Sequence, residues 1–179
     1  MFMNTQDQYG LVSRTLHWLL FVLVVGMLSG GILLQLLPNG GLKAIIIGVH
    51  KSTGVIVGLL AAVRLVWRIG NPRPKPLSAN PVENYLAALV HIVLYILLLL
   101  QPLTGILMSQ AYGYGVSVFG LFTVPTIVWE SPRLGLFFGQ CHTVVAVLLM
   151  LFVAVHVGAA LKHHFVNRDR TLLRMLKGH

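Results

Sequence analysis

Residues 137–161 read FFGQCHTVVAVLLMLFVAVHVGAAL, a run of 25 residues without one Asp, Glu, Lys or Arg. As a helix rising about 1.5 Å per residue, this run crosses the roughly 30 Å hydrocarbon layer of a bilayer. Its ionisable polar groups are the imidazoles of His142 and His156, fourteen residues apart. Fourteen steps of about 100° fall about 40° short of four turns, so both rings leave one helix face, about 21 Å apart along the axis. One imidazole lies near each edge of the hydrocarbon. Ionisable groups at such depths are costly and point to function.

Three more apolar stretches lie upstream, at about 15–37, 45–66 and 85–108. Lipid offers no partner to an unpaired backbone group, so each is expected to be a helix. Pro38-Asn39-Gly40-Gly41 breaks the chain after the first, and the proline-rich 71–76 breaks it after the second. The whole chain has 179 residues, 56% hydrophobic and 9% charged, with a mean hydropathy of +0.83. A soluble domain carries about 25% charged residues, which excludes a large soluble enzyme and a disordered chain. The expected fold is an all-α integral membrane protein, a four-helix transmembrane bundle in one domain, 1–179, with an outer loop at 110–140. The first span is too long for a removable signal peptide and lacks a small-residue cleavage pattern, so it is expected to stay.

The net charge of +9 could attract nucleic acid, but its placement reads as topology. With the N-terminus inside, the inner side holds Arg14, Arg64, Arg68, Arg73, Lys75, Lys162, Arg168, Arg170, Arg174 and Lys177; the outer side holds Lys43, Lys51 and Arg133. Basic residues gather on the cytoplasmic side. Both termini are therefore expected in the cytoplasm, with no nucleic-acid partner.

That orientation sorts four histidines by depth. His17, near the start of the first span, joins His156 inside; His50, early in the second, joins His142 outside. Two imidazoles facing each other across a bundle can bind one iron from both sides of a flat macrocycle. No C-x-x-C-H motif is present, so any haem is non-covalent and b-type. Filled axial positions suit electron transfer rather than oxygen binding. Closed zinc sites want four ligands, and the single Cys141 excludes a four-thiolate centre and an intrachain disulfide.

Neighbouring residues each carry two readings. Gly31 and Gly105, fourteen residues beyond His17 and His91, and Gly54 and Gly58 after His50, either admit a macrocycle or let helices pack closely. Arg64, fourteen residues after His50, is a propionate partner or a topology charge whose head reaches water; Arg14 and Lys51 are similar propionate candidates. His91 is packed or bonds a propionate. His163 and His164 are interfacial basic residues or part of a quinone pocket, with His163 the preferred proton donor. His179 reads as a disordered terminal residue, and Cys141 as packing. The aromatic loop at 110–140 is a cover on the membrane surface or a lid.

Several short motifs together are specific. They are Tyr9-Gly10 before Leu16-His17-Trp18; His50-Lys51-Ser52-Thr53-Gly54; Ser117-Val118-Phe119-Gly120; the His142 and His156 spacing; and Lys162-His163-His164-Phe165 before Thr171-Leu172-Leu173-Arg174-Met175. Across nearly its whole length the chain resembles the bacterial cytochrome b561 family, within the group that includes the b-type cytochrome subunits of hydrogenases. The resemblance implies two haems b stacked across the membrane on His17, His50, His142 and His156, and electron exchange with ubiquinone or a similar quinone. It also implies an outer-side donor, superoxide being the first expectation and a redox protein another. An alternative is a haem b anchor subunit of a larger periplasmic redox complex. A transporter relay is disfavoured, because Asp7, Glu83, Glu130 and Asp169 are the only acids and lie outside the spans. Oligomeric state is not legible here.

Overall fold

The computed structural model describes residues 1–178, so His179 lies outside the described residues. Four long helices make the body: α1 (Leu11–Leu36), α2 (Gly41–Gly70), α3 (Pro81–Ala111) and α4 (Pro132–Phe165). At 26, 30, 31 and 34 residues, all are long and apolar enough to cross a membrane. α1 packs on α2, α2 on α3 and α3 on α4. A short antiparallel hairpin, β1 (Ser117–Val118) and β2 (Phe122–Thr123), stands between α3 and α4, and a final turn of helix, α5 (Thr171–Leu176), follows α4.

The helices outrun the apolar spans at nearly every end, because capping rather than hydropathy sets where they start. Pro81 and Pro132 occupy first turns, where their missing N–H costs nothing. Asn80 accepts from the Val82 N–H at 2.9 Å, and Ser131 accepts from the Leu134 N–H at 3.4 Å. Consequently α4 begins at Pro132, and the outer connection runs only over 112–131 instead of the expected 110–140.

Burial follows the solvent. A slender seam of Leu20, Val24, Val57, Ala61, Leu94, Leu97 and Leu149 forms the core. Large apolar side chains such as Val22, Leu59, Val63, Ile92, Ile96 and Leu151 face outward. A helix apolar all round suits a lipid surrounding. Pro102 sits inside α3, against Gly58 of α2, where a Cβ would meet the proline ring at 2.9 Å. Gly58 thus serves helix contact at the point where Pro102 interrupts the backbone ladder. Gly54 likewise faces a side chain, the Met27 methyl, at 3.4 Å.

The two ends of the bundle are tied differently. At the hairpin end, Ser52 of α2 donates to the Ser117 carbonyl at 3.0 Å and accepts from the Phe119 N–H at 3.0 Å. Lys51 donates to the Gly115 carbonyl at 2.8 Å, while buried Gln110 of α3 grips Pro125 and Ile127 at 2.9 Å each. Phe119 (φ 49°) and Gly120 (φ 75°) both take the left-handed backbone that a type I′ turn needs. For Phe119 this is strained, and the bond from its N–H to Ser52 holds it there. At the basic end the N-terminal strap, the proline-rich connection and α5 meet. Asn4 donates to the Pro72 carbonyl at 3.1 Å, the Lys75 N–H to the Gln6 carbonyl at 2.7 Å, and Trp18 to the Met175 carbonyl at 3.1 Å.

Candidate functional site: two histidine pairs

His17 of α1 and His156 of α4 face each other near the basic end, their ring centroids 6.0 Å apart and planes crossed at 66°. His50 of α2 and His142 of α4 do the same toward the hairpin end, at 6.5 Å and 77°. Two imidazoles that share one metal at about 2.0–2.1 Å each need centroids about 6–6.5 Å apart once half a ring is added on either side. Both pairs meet that requirement. They arise because α1 and α2 run in opposite directions, so an early histidine on each falls at opposite ends of α4.

The pair near the hairpin end is seated on glycine. A Cβ on Gly105 would lie 3.0 Å from the His142 ring, and one on Gly31 would lie 3.6 Å from the His50 ring. A larger residue at Gly105 would crowd the His142 ring, while Gly31 stands in ordinary contact with His50. Gly31 therefore cradles His50 rather than continuing a groove from His17. His142 places Nδ1 3.0 Å from the Gln101 carbonyl, which can only accept, so Nδ1 carries the proton and Nε2 offers a lone pair. Such a second-shell bond orients a ligating histidine. The Gln101 amide donates toward that Nε2 at 3.2 Å, and Thr104 bonds the same carbonyl at 2.9 Å. Neither Gln101 nor Thr104 was singled out in the sequence; Pro102 between them was the available signal, a helix breaker inside a long apolar run.

The pair near the basic end lies in charged company. Arg64 donates to His17 Nδ1 at 2.9 Å, and its guanidinium stands 5.8 Å from the Tyr95 ring, with that of Arg68 5.5 Å from the same ring. His91 packs edge-on to His156 at 5.2 Å. His17, Arg64, His91, Tyr95 and His156, with apolar side chains, line a partly open cavity of about 70 Å³. Arg64 is thus turned into the bundle toward His17. A guanidinium donates only, so His17 Nδ1 accepts here and its proton sits on Nε2, whereas His142 Nδ1 donates; ligation of a metal through His17 Nε2 requires Arg64 to release Nδ1.

Other expected residues fall elsewhere. Arg14 donates to the Leu176 carbonyl of α5, and Lys51 is engaged with Gly115; both hold chain segments where propionate contacts were expected. His163 bonds Asp169 at 2.5 Å, just past the end of α4. Lys162 pairs with Glu83 at 2.7 Å. Burial raises the Asp169 carboxyl, but hydrogen bonds from Thr171 and His163 outweigh it and leave the group below its ordinary value. Cys141 is a free, half-buried thiol. The motif His50-Lys51-Ser52 and the motif Ser117-Val118-Phe119-Gly120, distant in sequence, meet at the hairpin.

A model of the prokaryotic cytochrome b561 family matches residues 8–178. The chain is 36% identical over 177 residues to cytochrome b561 homolog 2 of Escherichia coli K12, covering 98% of this chain and 94% of that one. It is 31% identical over 163 residues to cytochrome b561 homolog 1 of the same organism, covering 90% and 92%. A probable superoxide oxidase, CybB, of Yersinia pestis is 28% identical over 173 residues, covering 94% and 96%.

Proposed function

The chain belongs to the prokaryotic cytochrome b561 family, and from that premise we propose that it moves electrons from superoxide, through two haems b, to ubiquinone. Membership carries the coarser statements: a multi-pass bacterial membrane protein of electron transfer that binds haem b. The reading adds the number of haems, their ligands, the donor, the acceptor and the direction. Support for two groups comes from two histidine pairs at separate levels, and that observation carries the proposal.

In this reading His17 and His156 ligate the inner iron, and His50 and His142 the outer one, in an inner membrane with both termini cytoplasmic. Haem, when bound, would supply one-electron chemistry at its iron, and these imidazoles would hold it. The protein supplies orientation and field. Gln101 holds the His142 tautomer, Gly31 and Gly105 give the outer rings room, and Arg64 places a cation beside the inner pair. Superoxide, a small anion, is drawn to an outer face carrying Lys43, Lys51 and Arg133. Each superoxide loses one electron and leaves as oxygen; two such electrons and two protons convert a quinone to a quinol. His163, bonded to Asp169 on the cytoplasmic side, is the side chain suited to pass those protons. The superoxide donor is supported by the probable superoxide oxidase among the relatives.

A second reading, a haem anchor for a periplasmic redox partner, draws on the outer connection, where Leu121 is 83% and Trp129 75% exposed. Rapid mixing of the reconstituted chain with superoxide, with and without ubiquinone, separates the two. Haem reduction by superoxide alone, then reoxidation by ubiquinone, is expected. Reduction that requires another protein would replace the first reading with the second.

A further inference from the structure

A second cavity, of about 240 Å³, opens at the basic end between the N-terminal strap, the proline-rich connection and α5. Lys75, Arg170 and Arg174 line it, with Asp7 as the single acid. Among the described residues no carboxylate lies within ion-pair distance of these three cations. Charges that merely set topology lie in water. Arg174 does not: it is 8% exposed, and its Nε is buried without a partner. Its Nη1 donates to the Lys75 carbonyl at 2.9 Å, and its guanidinium stands 6.0 Å from the Tyr9 ring. A buried donor left unpaired is costly, and a half-used guanidinium is a fork shaped for phosphate.

We propose that this cavity is a phosphate-group site, with Arg174 as its fixed base and Lys75 and Arg170 closing on the anion. The ligand class is the headgroup of an anionic phospholipid, or free phosphate with the same chemistry. The cavity lies where α1 begins and α2 and α4 end, beside the membrane surface, and basic pockets there suit headgroups.

The test uses the full-length, haem-loaded protein in detergent, delipidated, and followed by native mass spectrometry. Phosphatidylglycerol, phosphatidylcholine and sodium phosphate are added in separate titrations. One phosphatidylglycerol per chain is expected, with phosphatidylcholine at least tenfold weaker. The double variant Lys75→Gln, Arg170→Gln changes only exposed residues and should weaken phosphatidylglycerol about thirtyfold, with the haem absorption spectrum unchanged. Saturable sodium phosphate binding lost in the same variant would support the site and name the free ion as its ligand. Equal binding of the two lipids, binding unaffected by the double variant, or binding of neither phosphatidylglycerol nor phosphate overturns the proposal.

Discussion

The two histidine pairs are alike in spacing and unlike in surroundings. Around His50 and His142 stand glycines, a threonine and an amide, and the bond that orients His142 goes to a neutral carbonyl. Around His17 and His156 stand Arg64, Arg68, His91 and Tyr95, and the bond to His17 comes from a cation. One α-helix thus carries two imidazoles into environments of different charge. A fixed positive charge favours the state with one more electron, so the same ligand set should hold an electron more tightly at the basic end. If the proposed function holds, this contrast favours electron flow from the hairpin end to the basic end.

Removing ligands tests the contrast most severely. Wild-type protein should give about two haems per chain by pyridine haemochrome; His50→Ala should lose chiefly the outer one and His156→Ala the inner one. Two haems retained at full occupancy in either variant would refute the ligand assignment. His163→Ala acts beyond both pairs: re-oxidation by ubiquinone should slow by about tenfold to a hundredfold, while reduction by the donor is unaffected. Unchanged turnover with quinone would remove His163 from the exit path.

Gly105→Val probes the uncharged pair alone. Its Cβ would crowd the His142 ring at 3.0 Å, so outer-haem occupancy should fall by about half or more while the inner absorption band stays intact. Arg64→Leu probes the charged pair. Redox titration should show the more positive midpoint falling by about 50–100 mV, the effect of one charge within about 10 Å at an effective dielectric near 20. A shift confined to the lower midpoint would reverse the assignment of potentials to ends.

The smallest effect concerns acid. Asp169 is held below its ordinary value by Thr171 and His163 against the opposing pull of burial. Its stabilising share is complete above the unfolded carboxyl value and is lost as pH falls through the lower folded one. Hydrogen-exchange protection at 163–171, corrected for the intrinsic pH dependence of exchange, should be unchanged from about pH 7 to 5 and fall only below about pH 4. Loss of protection near pH 6 would show that a different group controls this turn.

Hydropathy made the four helices legible, because lipid allows the backbone few other forms. Depth could be read for the histidines because it follows from position along a helix and from alternating direction. Neighbourhood could not. The spacing of Gly54 and Gly58 gave a face, but the partner on that face is Met27 or Pro102. Lys51 and Arg14 have the charge for propionates, and carbonyls of remote segments engage them. The hairpin's strands have two residues each, too short for any periodicity, and its register depends on Ser52, 65 residues before Ser117. Gln101 bears on His142 because its carbonyl and its amide meet that ring across the contact of α3 with α4, a tertiary neighbourhood that side-chain patterns do not record.

Arg14 and Trp18 bear on biogenesis. Their partners, the carbonyls of Leu176 and Met175, stand 162 and 157 residues further along the chain. Because the chain is made in order, α1 is synthesised long before α5, so these two ties beside His17 form only after all four long helices exist.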